Sequence, residues 1–390
     1  MLFLGHILTF FWLQGLIQGF VSASPREDKT NQRFLEQLAA GLLLFIGSIL
    51  GGLSWVWAGP FSHLFTGGVV QIMYWQLFVF FFLPTQITSL VEHVYLLRND
   101  QQGLFKWTLF SSAGLILAFI LPVWWVGTLE AGIYGLMVYA SIRLVWMMLL
   151  IRPVFSIREA RNLLTRWSAL SIPLIGYAIA GGATVIVDGW IINNHFQDAR
   201  VFAIFRYGAR ELPFSMALAS GVGTAAIALL ATQWTTGLDD LKHRVSRLSH
   251  LLFPITLVLI ATSHWWFTRL FSPDFAASAE VFNIYLMIIV SRVILTSPLI
   301  MAKGNTGVIL RIGLIELLVN VVLSLIFVHY WGIAGVAAAT VIAYTFEKVA
   351  HLVYIRRKYN LRPSSYLPVW TILGYSMLMI MTFVLVHLFL

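Results

Sequence analysis

The chain has 390 residues, of which 59% are apolar and only 11% charged, with a mean hydropathy of +0.85. No water-soluble globule can hide that much hydrocarbon under a polar surface, so the chain uses lipid as its solvent. Its formal charge of +9 is then a topology signal to be read loop by loop rather than a nucleic-acid footprint, and the absence of cysteine excludes disulfides and thiolate metal sites.

Backbone amides in lipid must be satisfied inside a helix or a closed barrel, and these apolar runs are about 20 residues long without strict alternation, which selects helices. The expected fold is all-α and polytopic, with about twelve spans. Taken in chain order they fall near 3–23, 37–58, 70–96, 105–127, 131–151, 168–193, 202–232, 249–268, 279–302, 307–330, 332–355 and 368–389. Most Lys and Arg residues lie in the odd-numbered connections, such as Arg26, Lys29 and Arg33 after the first span and Arg356, Arg357 and Lys358 after the eleventh. The opposite loops hold Arg200 and Arg269. Basic residues stay on the cytoplasmic side, so the odd connections are inner and both termini outer. Trp55, Trp57, Trp124, Trp125, Trp265, Trp266 and Trp331 fall at the outer boundaries, where amphipathic rings settle. Between the seventh and eighth spans, 237–247 reads as a basic amphipathic helix lying along the inner leaflet. No further acid follows Asp239-Asp240 at the spacing of a prenyl-diphosphate magnesium motif, and no metal or cofactor is expected.

An internal repeat organises these spans. Gly132-Ile-Tyr-Gly135 recurs as Gly332-Ile-Ala-Gly335, each opening a span that closes on a basic cluster. The same offset pairs the first span with the seventh and the following spans in turn, leaving the sixth without a partner, whose counterpart would precede Met1. The expectation is a six-plus-six plan lacking its first helix. It comprises an N-terminal lobe of five spans over 1–160, a C-terminal lobe of six over 161–366 and an additional span at 367–390, with two pseudo-symmetric lobes around a central cavity.

Three stretches carry a family likeness. They are Asp188-Gly-Trp-Ile-Ile followed by Val201 to Pro213, then Ala302-Lys-Gly-Asn305 with Ile315, Glu316 and Asn320, and lastly Trp331 to Thr340 with its small residues. With the lobe plan they make the chain resemble the multidrug/oligosaccharidyl-lipid/polysaccharide (MOP) exporter superfamily, within it the polysaccharide flippases of the O-antigen type. The chain departs from that pattern by lacking the first helix and one of the two extra C-terminal helices that some members have. The resemblance implies a multi-pass protein of the bacterial cytoplasmic membrane that moves a polyprenyl-diphosphate-linked oligosaccharide by alternating access. Its implied partners are that lipid-linked substrate, membrane lipids and the polymerase or glycosyltransferases of the same pathway, and it would act as a monomer without nucleic acid.

Charges inside spans are costly, so each needs a partner or a water-filled cavity. Arg210 and Glu211 lie about 15 Å along the seventh span, near the midplane, with Arg206 one turn earlier. Pro213 then frees a carbonyl and suits a cavity wall or hinge. Asp188 is expected within reach of Arg206; together these charges form either a structural ion pair or part of a substrate site. Arg292 has no acid nearby in sequence and is the leading candidate for a substrate phosphate, which its guanidinium fork matches; the alternative is a bridge to Glu316. Arg143, Arg311 and Lys348 are expected to snorkel toward the cytoplasm. Glu316 and Asn320 are candidates for a coupling proton or sodium ion, with polar helix packing as the other account.

Three functions are thus in play. A lipid-linked glycan flippase fits the intramembrane cations Arg206, Arg210 and Arg292. A multidrug antiporter of the same superfamily would favour intramembrane acids. A membrane-embedded glycan-processing enzyme needs a catalytic carboxylate or histidine beside a large loop, and no such constellation is found.

Overall fold

The computed structural model describes residues 2–57, 72–153, 161–270 and 273–389. It is all-helical. The helices are α1 (Leu2–Ala23), α2 (Lys29–Val56), α3 (Ile72–Ile87), α4 (Leu90–Leu97), α5 (Gln101–Val126), α6 (Leu129–Ile151), α7 (Arg161–Phe196), α8 (Ala199–Gly208), α9 (Pro213–Thr232), α10 (Trp234–Leu270), α11 (Ala276–Leu286), α12 (Ile289–Val293), α13 (Ser297–Ala302), α14 (Thr306–Tyr359) and α15 (Val369–Phe389). Among the described residues, ten helical segments are long and apolar enough to cross a membrane, and α14 is two of the expected spans run together. The chain is a multi-pass membrane protein.

It divides into two compact units, Met1–Ala178 and Ile179–Leu390, and the division falls within α7. In the first unit, α1 meets the first half of α7 through small residues, as helices in lipid must when neither partner gains from burying hydrocarbon. A Cβ on Gly15 would lie 2.7 Å from the Ile175 Cα, and one on Gly19 2.8 Å from the Ser171 Cα. The indole of Trp167 donates to the Leu16 carbonyl at 3.1 Å along the same seam. Helices α3 and α4 form one span bent after Pro84, where the Thr88 hydroxyl takes up the Pro84 carbonyl at 2.8 Å. Two ion pairs secure the basic connections. Arg98 donates to Glu36, through Nε at 3.1 Å, and Arg166 pairs with Glu27 at 2.8 Å.

Both copies of the Gly-x-x-Gly repeat do the same job. In the first unit Gly127, at φ +79°, ends α5, Thr128 caps α6, and Gly132 and Gly135 lie against Phe119 and Ala118 of α5. In the second unit Gly332 turns the chain within α14 at φ 57°, ψ −135°, a conformation open essentially to glycine alone. Gly335 then lies against Phe327 of the preceding arm, closely enough that a Cβ would sit 2.6 Å from its carbonyl carbon.

The second unit is built on an apolar cluster that includes Ile191, Ile192, Phe205, Val281, Tyr285, Val328 and Val336. Helix α15 packs on α10, where Phe253 and Tyr375 stack at 5.0 Å. Three expectations are corrected here. The 237–247 segment is no separate leaflet helix: it opens the continuous α10, with Leu238, Leu241, Val245 and Leu248 buried along one face. The seventh span is two helices, because the chain leaves α8 at Ala209 and resumes at Pro213, the first residue of α9. Proline at that position is preset for a helix start and holds Leu212 extended. The ninth span is likewise discontinuous, broken between α11, α12 and α13.

Candidate functional site

Broken helices expose backbone groups at membrane depth, which is tolerated only where protein or a water-filled cavity receives them. In the second unit the two breaks are joined by a side-chain pair. Glu211, in the gap before α9, accepts from Arg292 at the end of α12 in a fork, Nε to Oε2 at 2.8 Å and Nη2 to Oε1 at 2.6 Å. The Arg292 guanidinium also lies over the Tyr344 ring, 4.8 Å from its centroid. A bidentate carboxylate occupies the fork that a phosphate would use. Arg292 is thus neutralised by Glu211, distant in sequence, where the sequence offered no nearby acid.

Asp188 has no such partner. It is 2% exposed on α7, and among the described residues no Lys or Arg pairs with it. Arg206, its expected neighbour, is exposed on the face of α8 opposite Phe205 and Gly208, which enter the core, and Arg210 is exposed in the gap beyond α8. The partners of Asp188 come instead from α11 and both arms of α14. Thr340 donates to Oδ2 at 2.9 Å, Ser324 to Oδ1 at 3.4 Å and Tyr285 to Oδ2 at 3.5 Å. Asn320 donates to the Thr340 hydroxyl at 3.2 Å, and its own Oδ1, fully buried, has no hydrogen-bond partner. A carboxylate can accept about four hydrogen bonds; this one has a single short bond and two long ones. The donor set is all oxygen, with one acid: Asp188, Asn320, Ser324 and Thr340, beside the Val336 carbonyl that Thr340 also reaches at 3.1 Å. Oxygen donors of this kind suit a hard cation of low charge. Among the described residues no three His, Asp or Glu side chains converge as a transition metal would require.

Glu316 and Asn320, one turn apart, both face the interior, and Ser324 continues that face one turn further. Only Asn320 and Ser324 enter the Asp188 network, while the buried Oε1 of Glu316 has no hydrogen-bond partner. Toward the far end of the second arm of α14 lies a further polar group. Lys348 is buried rather than snorkelling, and pairs with Glu347 at 2.8 Å. His351 is fully buried, with Nδ1 3.2 Å from the Thr296 hydroxyl and 3.9 Å from Glu347.

Arg143 is corrected too. It does not reach for the membrane surface but is 7% exposed inside the first unit. Its Nε donates to Thr88 at 2.9 Å and Nη1 to the Tyr139 hydroxyl at 3.0 Å, and its guanidinium lies 4.7 Å over Trp107. Among the described residues no carboxylate pairs with it. The signals that would have found these residues were present: Glu316, Asn320 and Ser324 recur at every fourth position, and Thr340 is the one polar residue after a run of glycine, valine and alanine.

No family model matches the chain, and no curated protein matches it in sequence. Solved structures do match in fold. The Vibrio cholerae MATE transporter VcmN in its bent form superposes at a TM-score of 0.65 with 13% identity, over 98% of this chain and 88% of that one. A MOP superfamily transporter from Pyrococcus furiosus, described as having a binding pocket of reverse polarity, does so at 0.66 with 16% identity, over 92% and 86%. The lipid II flippase MurJ in an inward closed conformation does so at 0.60 with 15% identity, over 100% and 86%. The chain therefore shares the fold of these MATE and MOP superfamily transporters and of the lipid II flippase.

Proposed function

We propose that the chain is a cation-coupled secondary transporter that carries a polyprenyl-diphosphate-linked oligosaccharide across the bacterial cytoplasmic membrane for surface polysaccharide synthesis. The observation that carries the coupling is Asp188 on α7: a buried acid that no Lys or Arg pairs with among the described residues, ringed by hydroxyl and amide groups from α11 and α14. A charge held so poorly inside lipid favours any state in which a cation joins it. Binding there draws α7 and both arms of α14 onto one ion, and a ligand shifts a conformational equilibrium by its differential affinity for the two states. Sodium, a proton or both in competition would serve.

The anionic cargo rests on the cations that the acids leave over. Arg143 is a buried arginine of the first unit that no carboxylate pairs with among the described residues, and Arg206 and Arg210 stand exposed beside the break in the seventh span. Guanidinium groups hold diphosphate oxygens at any accessible pH. The fold shared with a lipid II flippase is consistent with such a cargo. Polymerase or glycosyltransferase partners belong to the same reading.

One observation favours a drug antiporter as the second reading. In the second unit Asp188, Glu211, Glu316 and Glu347 outnumber Arg292 and Lys348, the reverse of the balance expected from sequence. Gene deletion separates the two. Accumulated lipid-linked glycan with lost surface polysaccharide is the expected result; unchanged glycan with heightened sensitivity to cationic drugs would overturn it in favour of the antiporter.

A further inference from the structure

The outer ends of α7 and of the first arm of α14 each carry a histidine that the Asp188 site does not use. His195 lies in the last turn of α7, and His329 lies three residues before Gly332, where α14 turns back. Their rings meet at a centroid separation of 4.8 Å, with planes 75° apart. Both side chains are exposed. Exposed Asn193, Asn194, Gln197 and Asp198 around the one, and exposed Tyr330 and Trp331 beside the other, place the pair at the water boundary. The backbone beneath is seated: Phe196 packs on the apolar cluster and stands 3.6 Å from where a Cβ on Gly332 would lie, so the end of α7 rests on the α14 hairpin.

One tautomer is set by its neighbour. Nδ1 of His329 lies 2.8 Å from the Leu325 carbonyl, which can only accept, so Nδ1 carries the proton and the neutral ring presents the lone pair of Nε2. Metal-binding imidazoles are oriented in this way, one nitrogen donating to a carbonyl or carboxylate and the other free to ligate. The spacing suits a shared ion as well, since two imidazoles on one tetrahedral zinc, with Zn–N bonds of about 2.0 Å, have ring centres about 5 Å apart. A resident zinc centre takes three or four protein ligands, and among the described residues no third His, Asp or Glu joins these two. Two imidazoles with water in the remaining positions make an open site instead, filled from solution by an ion that favours imidazole, such as zinc, nickel or copper.

We propose that His195 and His329 form a site for a divalent transition-metal ion at the outer boundary of the second unit, and that an ion held there fastens α7 to α14. Asp188 lies seven residues before His195 on the same face of α7, about 10 Å inward, and Ser324 lies about 8 Å inward of His329. The metal thus holds together, at their outer ends, the two helices that the bond between Asp188 and Ser324 joins further in.

The test is calorimetric titration of the full chain with zinc chloride, in nanodiscs of zwitterionic phosphatidylcholine. One zinc per chain should bind saturably. His195→Gln and His329→Gln should each lower the affinity by about 10- to 100-fold, since losing a ligand costs no less than losing its supporting partner. Asp188→Asn should leave the affinity unchanged. With zinc present, amide hydrogen exchange at the outer ends of α7 and of the first arm of α14 should slow in wild type and in neither histidine variant. An absence of saturable binding, an affinity unmoved by either histidine variant or lost with only one of them, or a loss with Asp188→Asn would each overturn the site; binding without slower exchange would overturn the fastening. None of these results depends on glycan or drug transport, so the site can fail while the functional reading stands, and the reverse.

Discussion

The two units solve the problem of charge in lipid in opposite ways. The first pairs Glu36 with Arg98 and Glu27 with Arg166 at the basic connections, and holds a buried arginine, Arg143, on hydroxyls and an indole face. Its helices are held by glycine seams. The second breaks two of its spans, joins the breaks with an ion pair, and gathers acids in its interior around Asp188 and Glu347. On the function proposed above, the carboxylates of the second unit serve the driving ion and Arg143 the anionic cargo.

The sharpest test of that contrast is the pair across the breaks. Arg292→Met strands Glu211 in the gap before α9, and breaking a largely buried pair typically costs about 3–5 kcal/mol. Thermal unfolding in nanodiscs should show the largest loss of any variant considered, and the double variant Arg292→Met with Glu211→Gln should recover most of it. If the single variant unfolds like wild type, the pair does not hold the breaks together. Asp188→Asn comes next. It retains the shape and most hydrogen bonds of the site but removes the only carboxylate, so sodium-dependent stabilisation should weaken by about 100-fold or more. An unchanged sodium response would move the sodium site elsewhere and leave Asp188 to a proton.

A variant in the first unit sharpens the other side of the comparison. Gly15→Ala in α1 forces a methyl into the backbone of Ile175, and overpacking of this kind costs about 1–3 kcal/mol. It should lower thermal stability while leaving sodium affinity unchanged. A shift in sodium affinity would mean that the α1 seam and the Asp188 site are energetically linked.

How far the sequence disclosed this division follows from what hydropathy can measure. Helix positions were legible because every span must be apolar over its length. The turn at Gly332 was legible because glycine repeats at both hairpins. The breaks after Gly208 and around Ile294 were not, since apolar residues continue through them and tertiary contacts hold them open: the packing of Gly208 on Ser278, and Arg292 on Glu211. Pro213 was the local sign read from sequence, and Pro298, at the start of α13, was another. Partner choice was least legible. Asp188 seemed matched to Arg206 by nearness in sequence, yet it is served by Ser324 and Thr340 on α14. Hydropathy also does not say which face of a helix meets protein, so Arg143 and Lys348 were expected at the surface and are buried.

The smallest expected effect bears on the cation site most directly, because it grades the oxygens around one acid. Thr340 gives Asp188 its short bond at 2.9 Å and is itself held by Asn320, whereas Ser324 stands off at 3.4 Å. A hydrogen bond to a charged group is worth about 1.5–3 kcal/mol when well formed and much less when stretched. If those bonds alone mattered, Thr340→Val would weaken the site's hold on its acid and Ser324→Ala would do almost nothing. Should both oxygens be cation ligands, the two variants converge, because an ion pulls its donors to a common distance. We expect sodium affinity to fall about tenfold in Thr340→Val and by a similar factor in Ser324→Ala. A loss confined to Thr340→Val would leave Ser324 as a spectator and reduce the site to Asp188, Asn320 and Thr340.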